Sequence, residues 1–162
     1  MRWPVAKGVF GAICTKDKTR FRVYAPLASE VRVLLYEKQT QVRRREFPMQ
    51  KNTDGTHEVT VPEDLHGRFY LYLLDNTYAV TDPYSVAVSM NSTKSAVIDL
   101  NRTHPMGWER HAIPKNSPKE AVVYELHVKD YTGDLHSGAL YRGKFLGLVE
   151  GDTKFGDLST GL

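Results

Sequence analysis

The sequence predicts a mainly β protein, with an antiparallel β-sandwich over the first hundred residues and the opening of a second, parallel-stranded domain after it. Two observations carry the sandwich. Short segments with apolar residues at every second position follow one another from residue 8 to residue 100, with turn-forming residues between them. No amphipathic helix of useful length interrupts them. The third observation concerns residues 121–132, AVVYELHVKDYT, where Val122, Val123, Leu126 and Val128 make a nearly continuous apolar run, as in a strand buried on both faces of a parallel sheet. Residues 121–162 are far fewer than the roughly 250 of a closed (β/α)8 barrel. The chain therefore reads as one complete module joined to the beginning of another.

The first expected strand is Thr19–Tyr24, TRFRVY, in which Phe21 and Val23 alternate with Arg20 and Arg22 until Pro26, which has no N–H for a ladder. Val31–Tyr36, VRVLLY, resumes the alternation with Val31, Val33 and Leu35 on one face. The short APLASE turn between these segments predicts that they pair. Asn52-Thr53-Asp54-Gly55 is a turn signal, followed by a strand over 57–61. A strand over 67–75, GRFYLYLLD, closes at Asp75-Asn76, and a short one over 77–80 ends before Asp82-Pro83, because proline pushes its predecessor out of the helical region. Residues 95–100, SAVIDL, complete the module. From residue 101 to residue 120 the sequence carries Pro105, Pro114 and Pro118 among polar side chains, the composition of an ordered connector. The expected domains are a sandwich over 1–103, a connector over 104–120 and the start of a barrel over 121–162. Trp108 is expected to pin the connector by packing rather than to bind a ligand. There is no internal repeat and no low-complexity segment.

With 162 residues, 41% hydrophobic and 25% charged, the composition is that of an ordinary globular protein rather than a disordered or fibrous one. The formal net charge of +3 is small, and Arg43-Arg44-Arg45 reads as a solvated strand or loop face, so no nucleic-acid partner is expected. The single cysteine, Cys14, allows no intrachain disulfide and fits a reducing compartment. No apolar stretch approaches the roughly 20 residues of a membrane helix, and the start MRWPVAKG has no hydrophobic signal core, so the expectation is a cytoplasmic protein without a membrane partner.

Two blocks, TRFRVYAPLASEVRVLLY at 19–36 and YAVTDPYSVAVSMNSTKSAVIDL at 78–100, resemble the immunoglobulin-like carbohydrate-binding module family 48, which precedes the barrel in glucan debranching enzymes. The later AVVYELHVKDYT and GKFLGLVEGDTKFGDLSTGL are similar to the first barrel strand and adjoining loop of type I pullulanases, in glycoside hydrolase family 13, the α-amylase family. The resemblance spans residues 8–162. It implies an immunoglobulin-like sandwich followed by an incomplete (β/α)8 barrel, and a parent enzyme that hydrolyses α-1,6-glucosidic bonds in pullulan, starch or glycogen. Ser159-Thr160-Gly161-Leu162 would then open the first barrel helix, with Ser159 or Thr160 as its N-cap.

Such an enzyme needs two carboxyl groups about 5 to 5.5 Å apart, on loops after later barrel strands. None of the family's catalytic motifs, nor its YNWGYDP signature, occurs here, so no catalytic residue is expected in this chain and the chain alone is expected to be inactive. No cofactor is implied. Glu125 and His127 share a strand face by period two and Asp130 lies near them, but two ligands on one strand make an incomplete metal site, and no metal is expected. Glycogen-binding members of the module family stack sugars on tryptophans, one in the loop after an early strand. Here that loop, Glu37-Lys38-Gln39-Thr40, has no aromatic residue, Leu71 stands where those members carry a binding lysine, and Tyr78 alone approximates the second aromatic position. Tyr78 is thus the candidate carbohydrate-binding residue, set against a structural reading in which Tyr70, Tyr72, Tyr78 and Tyr84 pack within the module or against the barrel. The expected partners are an α-glucan for the parent, the missing part of the barrel, and a second copy of the chain through the strand at 122–128. The alternative is a stand-alone module that binds glucan or a partner protein.

Overall fold

The computed structural model describes residues 5–113, 115, 117–151 and 153–159, the side chains of Phe155 and Ser159 excepted. Pro114 of the expected connector and Thr160, Gly161 and Leu162 of the expected helix start lie outside these. The chain forms two compact units, residues 1–110 and 111–162, divided within the proline-rich stretch.

The first unit is an antiparallel sandwich. One sheet has the order β1-β2-β6-β5, from Gly11–Cys14, Thr19–Tyr24, Thr56–Val61 and Gln50–Lys51. The other has the order β4-β3-β7-β8, from Arg45–Pro48, Val31–Tyr36, Phe69–Leu74 and Tyr78–Val80, with β9, Ser95–Ala96, also paired to β7. Between the sheets, Phe21 and Val23 of β2 meet Val31, Val33 and Leu35 of β3, Val61 of β6, and Tyr70 and Tyr72 of β7. Phe21 and Tyr70 make an edge-to-face contact across the core, 5.0 Å between centroids, an arrangement that the ring quadrupole favours.

The expected strands form, yet the expected first pairing does not. β2 pairs with β1 and β6, whereas β3 pairs with β4 and β7. Both strands are apolar on one face, and both bury that face only if they sit in opposite sheets with the core between them. Residues 25–30 make that crossing. The turn at 52–55 does join a hairpin, between β5 and β6: Gly55 stands at φ 81°, and a Cβ there would meet Pro26 at 3.0 Å. Asp75 and Asn76, at φ 47° and 54°, reverse the chain between β7 and β8, and the turn closes with the Thr77 N–H donating to the Leu74 carbonyl at 2.9 Å.

Three strands have no signal in the sequence reading. β1, β4 and β5 are short and lie at sheet edges; β4 and β5 are largely exposed, and β1, GAIC, does not alternate. β4 begins inside the basic run, and two of the run's arginines are paired: Arg45 donates twice to Glu63, at 2.7 and 3.0 Å, and Arg44 pairs with Glu46 at 3.0 Å. The strand expected over 95–100 is shorter, because Asp99 accepts the Asn101 N–H and caps a 3-10 turn at Leu100–Arg102.

In the second unit, the expected strand at 122–128 is corrected. Residues 121–127 have no regular secondary structure, and Val128–Gly133 is a short helix, α1. A strand is held by ladder hydrogen bonds to neighbours, and none pairs with this segment among the described residues. Its apolar side chains face solvent, Val122 at 97% and Val123 at 87% exposure. A 3-10 turn at Phe145–Val149 follows, then a small hairpin of β10, Lys154–Phe155, and β11, Leu158–Ser159, so Ser159 ends a strand. Buried Thr132 ties the unit locally: its hydroxyl donates to the Val128 carbonyl at 2.8 Å and accepts the Gly143 N–H at 2.9 Å. Gly147 packs so closely that a Cβ would stand 2.7 Å from the Tyr141 carbonyl. Among the described residues no helix is long and apolar enough to cross a membrane.

Candidate functional site

Tyr78 opens β8 opposite Leu74, on a strand exposed along its whole length, and the residue is 67% exposed. The aromatic face is therefore free to stack, but it stands on an edge. The loop after β3 is tied down. The Lys94 ammonium donates to the Gln39 carbonyl at 2.6 Å and lies 4.7 Å from the centroid of the Tyr36 ring. The Met90 N–H donates to the Gln39 side chain at 3.2 Å, and Arg68 pairs with Glu37 at 2.8 Å. Leu71 pairs across the sheet with Leu34.

The other tyrosines converge on a group that sequence reasoning treats only as a strand break. Asp82 is buried, and its Oδ2 accepts the hydroxyls of Tyr70 at 2.6 Å and Tyr72 at 3.2 Å. Its Oδ1 accepts the Tyr84 N–H at 2.8 Å, while its own N–H donates to the Ser95 hydroxyl at 2.8 Å. Burial pushes the Asp82 carboxyl above its ordinary range, against the opposing pull of the tyrosine hydrogen bonds. Burial, and then the Asp82 charge, hold both phenols protonated well above their usual range. This is a polar fastener of β7, β9 and the following turn. Nothing in the pattern YLY at 70–72 signals it, because both hydroxyls reach Asp82 only through the sheet's tertiary placement.

Tyr84 then stacks on Phe10 at 4.7 Å with 21° between the rings, and the Arg22 guanidinium lies 5.1 Å from the Phe10 centroid. Close by, the Cys14 thiol donates to Asp64 at 3.1 Å. Burial raises the thiol's pKa, which favours its protonated form. Asp64 is held far below the usual carboxylate range by hydrogen bonds from Arg102 and Cys14.

Glu125, His127 and Asp130 are not gathered on a strand face. His127 caps α1 by accepting the Asp130 N–H at 3.3 Å, and its Nδ1 stands 3.1 Å from the Asp130 carboxylate. Among the described residues no group of three or more His, Cys, Asp or Glu side chains is placed to hold a metal. Trp108 is 47% exposed, with its ring 5.6 Å from that of His104.

Residues 9–85 match the family model of carbohydrate-binding module 48, the isoamylase N-terminal domain. Along 91% of its length the chain is similar to the pullulanase of Bacillus subtilis (strain 168), 36% identical over 150 residues. The chain as a whole is similar in sequence to pullulanases. Its residues 9–85 are the carbohydrate-binding module 48 domain. It is also similar to the pullulanase of Klebsiella pneumoniae, 31% identical over 161 residues and 89% of this chain. Among solved structures, the pullulanase from Bacillus acidopullulyticus superposes with a TM-score of 0.85 at 37% identity, over 99% of this chain and 20% of that one. The apo pullulanase from Paenibacillus barengoltzii gives 0.85 at 41% identity, over 97% and 25%. The chain spans 20% of the Bacillus subtilis relative and 15% of the Klebsiella pneumoniae one. The antiparallel sandwich found above is the fold of the module.

Proposed function

We propose that this chain is the N-terminal part of a debranching enzyme whose complete protein hydrolyses α-1,6-glucosidic bonds in pullulan, starch or glycogen, in the cytoplasm. The observation that carries this is the unbroken similarity to pullulanases, which runs through the module and on into the second unit. In this reading, residues 1–103 are the sandwich, 104–120 the connector and 121–162 the start of the (β/α)8 barrel, whose catalytic carboxylates lie on segments that this chain does not carry. The apolar, solvent-facing residues 121–127 fit a first barrel strand that takes its neighbours from those segments. This chain by itself is inactive, because no pair of its carboxylates is assigned the fixed spacing of nucleophile and acid. The test is release of reducing ends from pullulan. Background rates from this chain and hydrolysis by the complete protein are expected. Activity that stays with this chain at constant specific rate through purification would place the catalytic pair here instead.

A second reading, a glucan-binding module active in its own right, draws on the exposed ring of Tyr78. Its ligand would be a maltooligosaccharide, since the pullulanase from Paenibacillus barengoltzii was solved with maltohexaose and alpha-cyclodextrin and that of Bacillus subtilis with maltose. A module that presents a partner protein is the remaining form of this reading.

A further inference from the structure

A groove of about 280 Å³ on the first unit is lined by Phe10, Tyr84, Ser85, Val86, Asp99 and Asn101 among others. The residues before β1, the turn after Asp82 and the segment after β9 meet there. Its aromatic wall is held in place: the Tyr84 main chain is fixed on Asp82 at 2.8 Å, and its ring is stacked on Phe10 at 4.7 Å. Tyr84 nonetheless keeps 41% of its surface exposed. The polar side is held as well, since the Asp99 carboxylate accepts both the main-chain and side-chain N–H of Asn101, at 3.1 and 3.2 Å. The Ser85 hydroxyl adds a donor and acceptor. Val86 is exposed and apolar.

We propose that this groove, rather than the strand that bears Tyr78, is where the module contacts α-glucan; the proposal rests on reading the chain as part of a glucan-acting enzyme. A glucosyl ring presents apolar C–H faces and a rim of hydroxyls, so its site must combine an aromatic face with several donors and acceptors in a concavity. The groove has both. Tyr78 has only the first, on an exposed edge strand next to Ala79 and Val80. The Asp99 carboxylate is balanced by Arg102 at 3.2 Å, and together with an amide and a hydroxyl it suits a neutral ligand better than a charged one.

Nitrogen–proton shift mapping of this chain with maltohexaose tests the assignment. Shifts are expected at Phe10, Tyr84, Ser85 and residues 99–101, and not at 78–80. Val86→Arg, at an exposed position, should fill the groove and weaken binding by about tenfold or more. Tyr84→Ala should act in the same way, whereas Tyr84→Phe keeps the stacking ring and binds within about threefold of the unaltered chain. Tyr78→Ala should leave binding unchanged. Shifts confined to 78–80 and abolished by Tyr78→Ala would overturn the proposal, as would the absence of any shift at saturating maltohexaose. The enzyme reading is judged separately, by pullulan hydrolysis with the complete protein, so a groove that fails leaves that reading standing.

Discussion

Asp82 shows how one side chain organises the interior of the sandwich. A buried carboxyl without partners is costly, and this one is tolerated because two phenols and one amide satisfy it. Removing it reverses the balance, since two tyrosine hydroxyls would remain buried with nothing to receive their protons. Asp82→Ala is expected to cost about 3 kcal/mol of unfolding free energy, and Tyr72→Phe, which removes the longer of the two phenol bonds, about 1 kcal/mol. Denaturant titration of the two variants checks this. A loss below about 1 kcal/mol for Asp82→Ala would mean that the fastener is dispensable. The same node fixes the backbone of Tyr84, so packing energy and the aromatic wall of the groove share one cause.

At the scale of elements, residues 121–127 are an apolar run left uncovered. The inward faces of β2 and β3 meet across the core, whereas Val122, Val123 and Tyr124 stand in solvent with no strand paired to them among the described residues. Surfaces of this kind drive association. Two copies of the chain are therefore expected to pair through this segment. A chain cut after Lys119 should keep its melting temperature within about 5 °C, since the sandwich has its own core, and should scatter light as a monomer where the uncut chain associates. A cut chain that fails to fold would place this segment in the core of the first unit.

For the whole molecule, stability should fall between pH 7 and pH 5, and His57 is the reason. The ring is fully buried on β6, opposite Val23 and Lys51, and neither nitrogen has a hydrogen-bond partner. Burial, and then the Lys51 charge, lower its pKa from 6.5, with Asp75 opposing. A histidine held neutral in the folded state contributes stability that is complete above the unfolded value and is lost as pH falls below about 6.5, by up to about 1.4 kcal/mol per pH unit. Asp82 has the opposite sign. Its raised carboxyl contributes stability below its unfolded value, and that contribution is lost as pH rises. Asp54, Glu63 and Asp64, all lowered, lose their contributions only in more acid solution. Denaturation midpoints at pH 7 and pH 5 should therefore differ in the native chain and converge in His57→Leu. An equal slope in both would assign the effect to other groups.

The sequence alone determined the strands whose two faces see different surroundings. Thr19–Tyr24 is legible because burial on one side and partial exposure on the other write a period of two into the chain, and Val31–Tyr36 because Val31, Val33 and Leu35 share the face turned to the core. The Asp-Gly and Asp-Asn turns are legible because few residues accept positive φ. The family resemblance, too, was carried by contiguous residues. Tertiary structure decided the rest. Which sheet each strand joins depends on where its apolar face finds a partner, and that separated β2 from β3. The Asp82 fastener and the Phe10–Tyr84 wall unite residues distant along the chain, which no local period encodes. Residues 121–127 show the converse: their apolar pattern predicts a buried strand, but a strand is held by paired neighbours, and among the described residues none pairs with this segment.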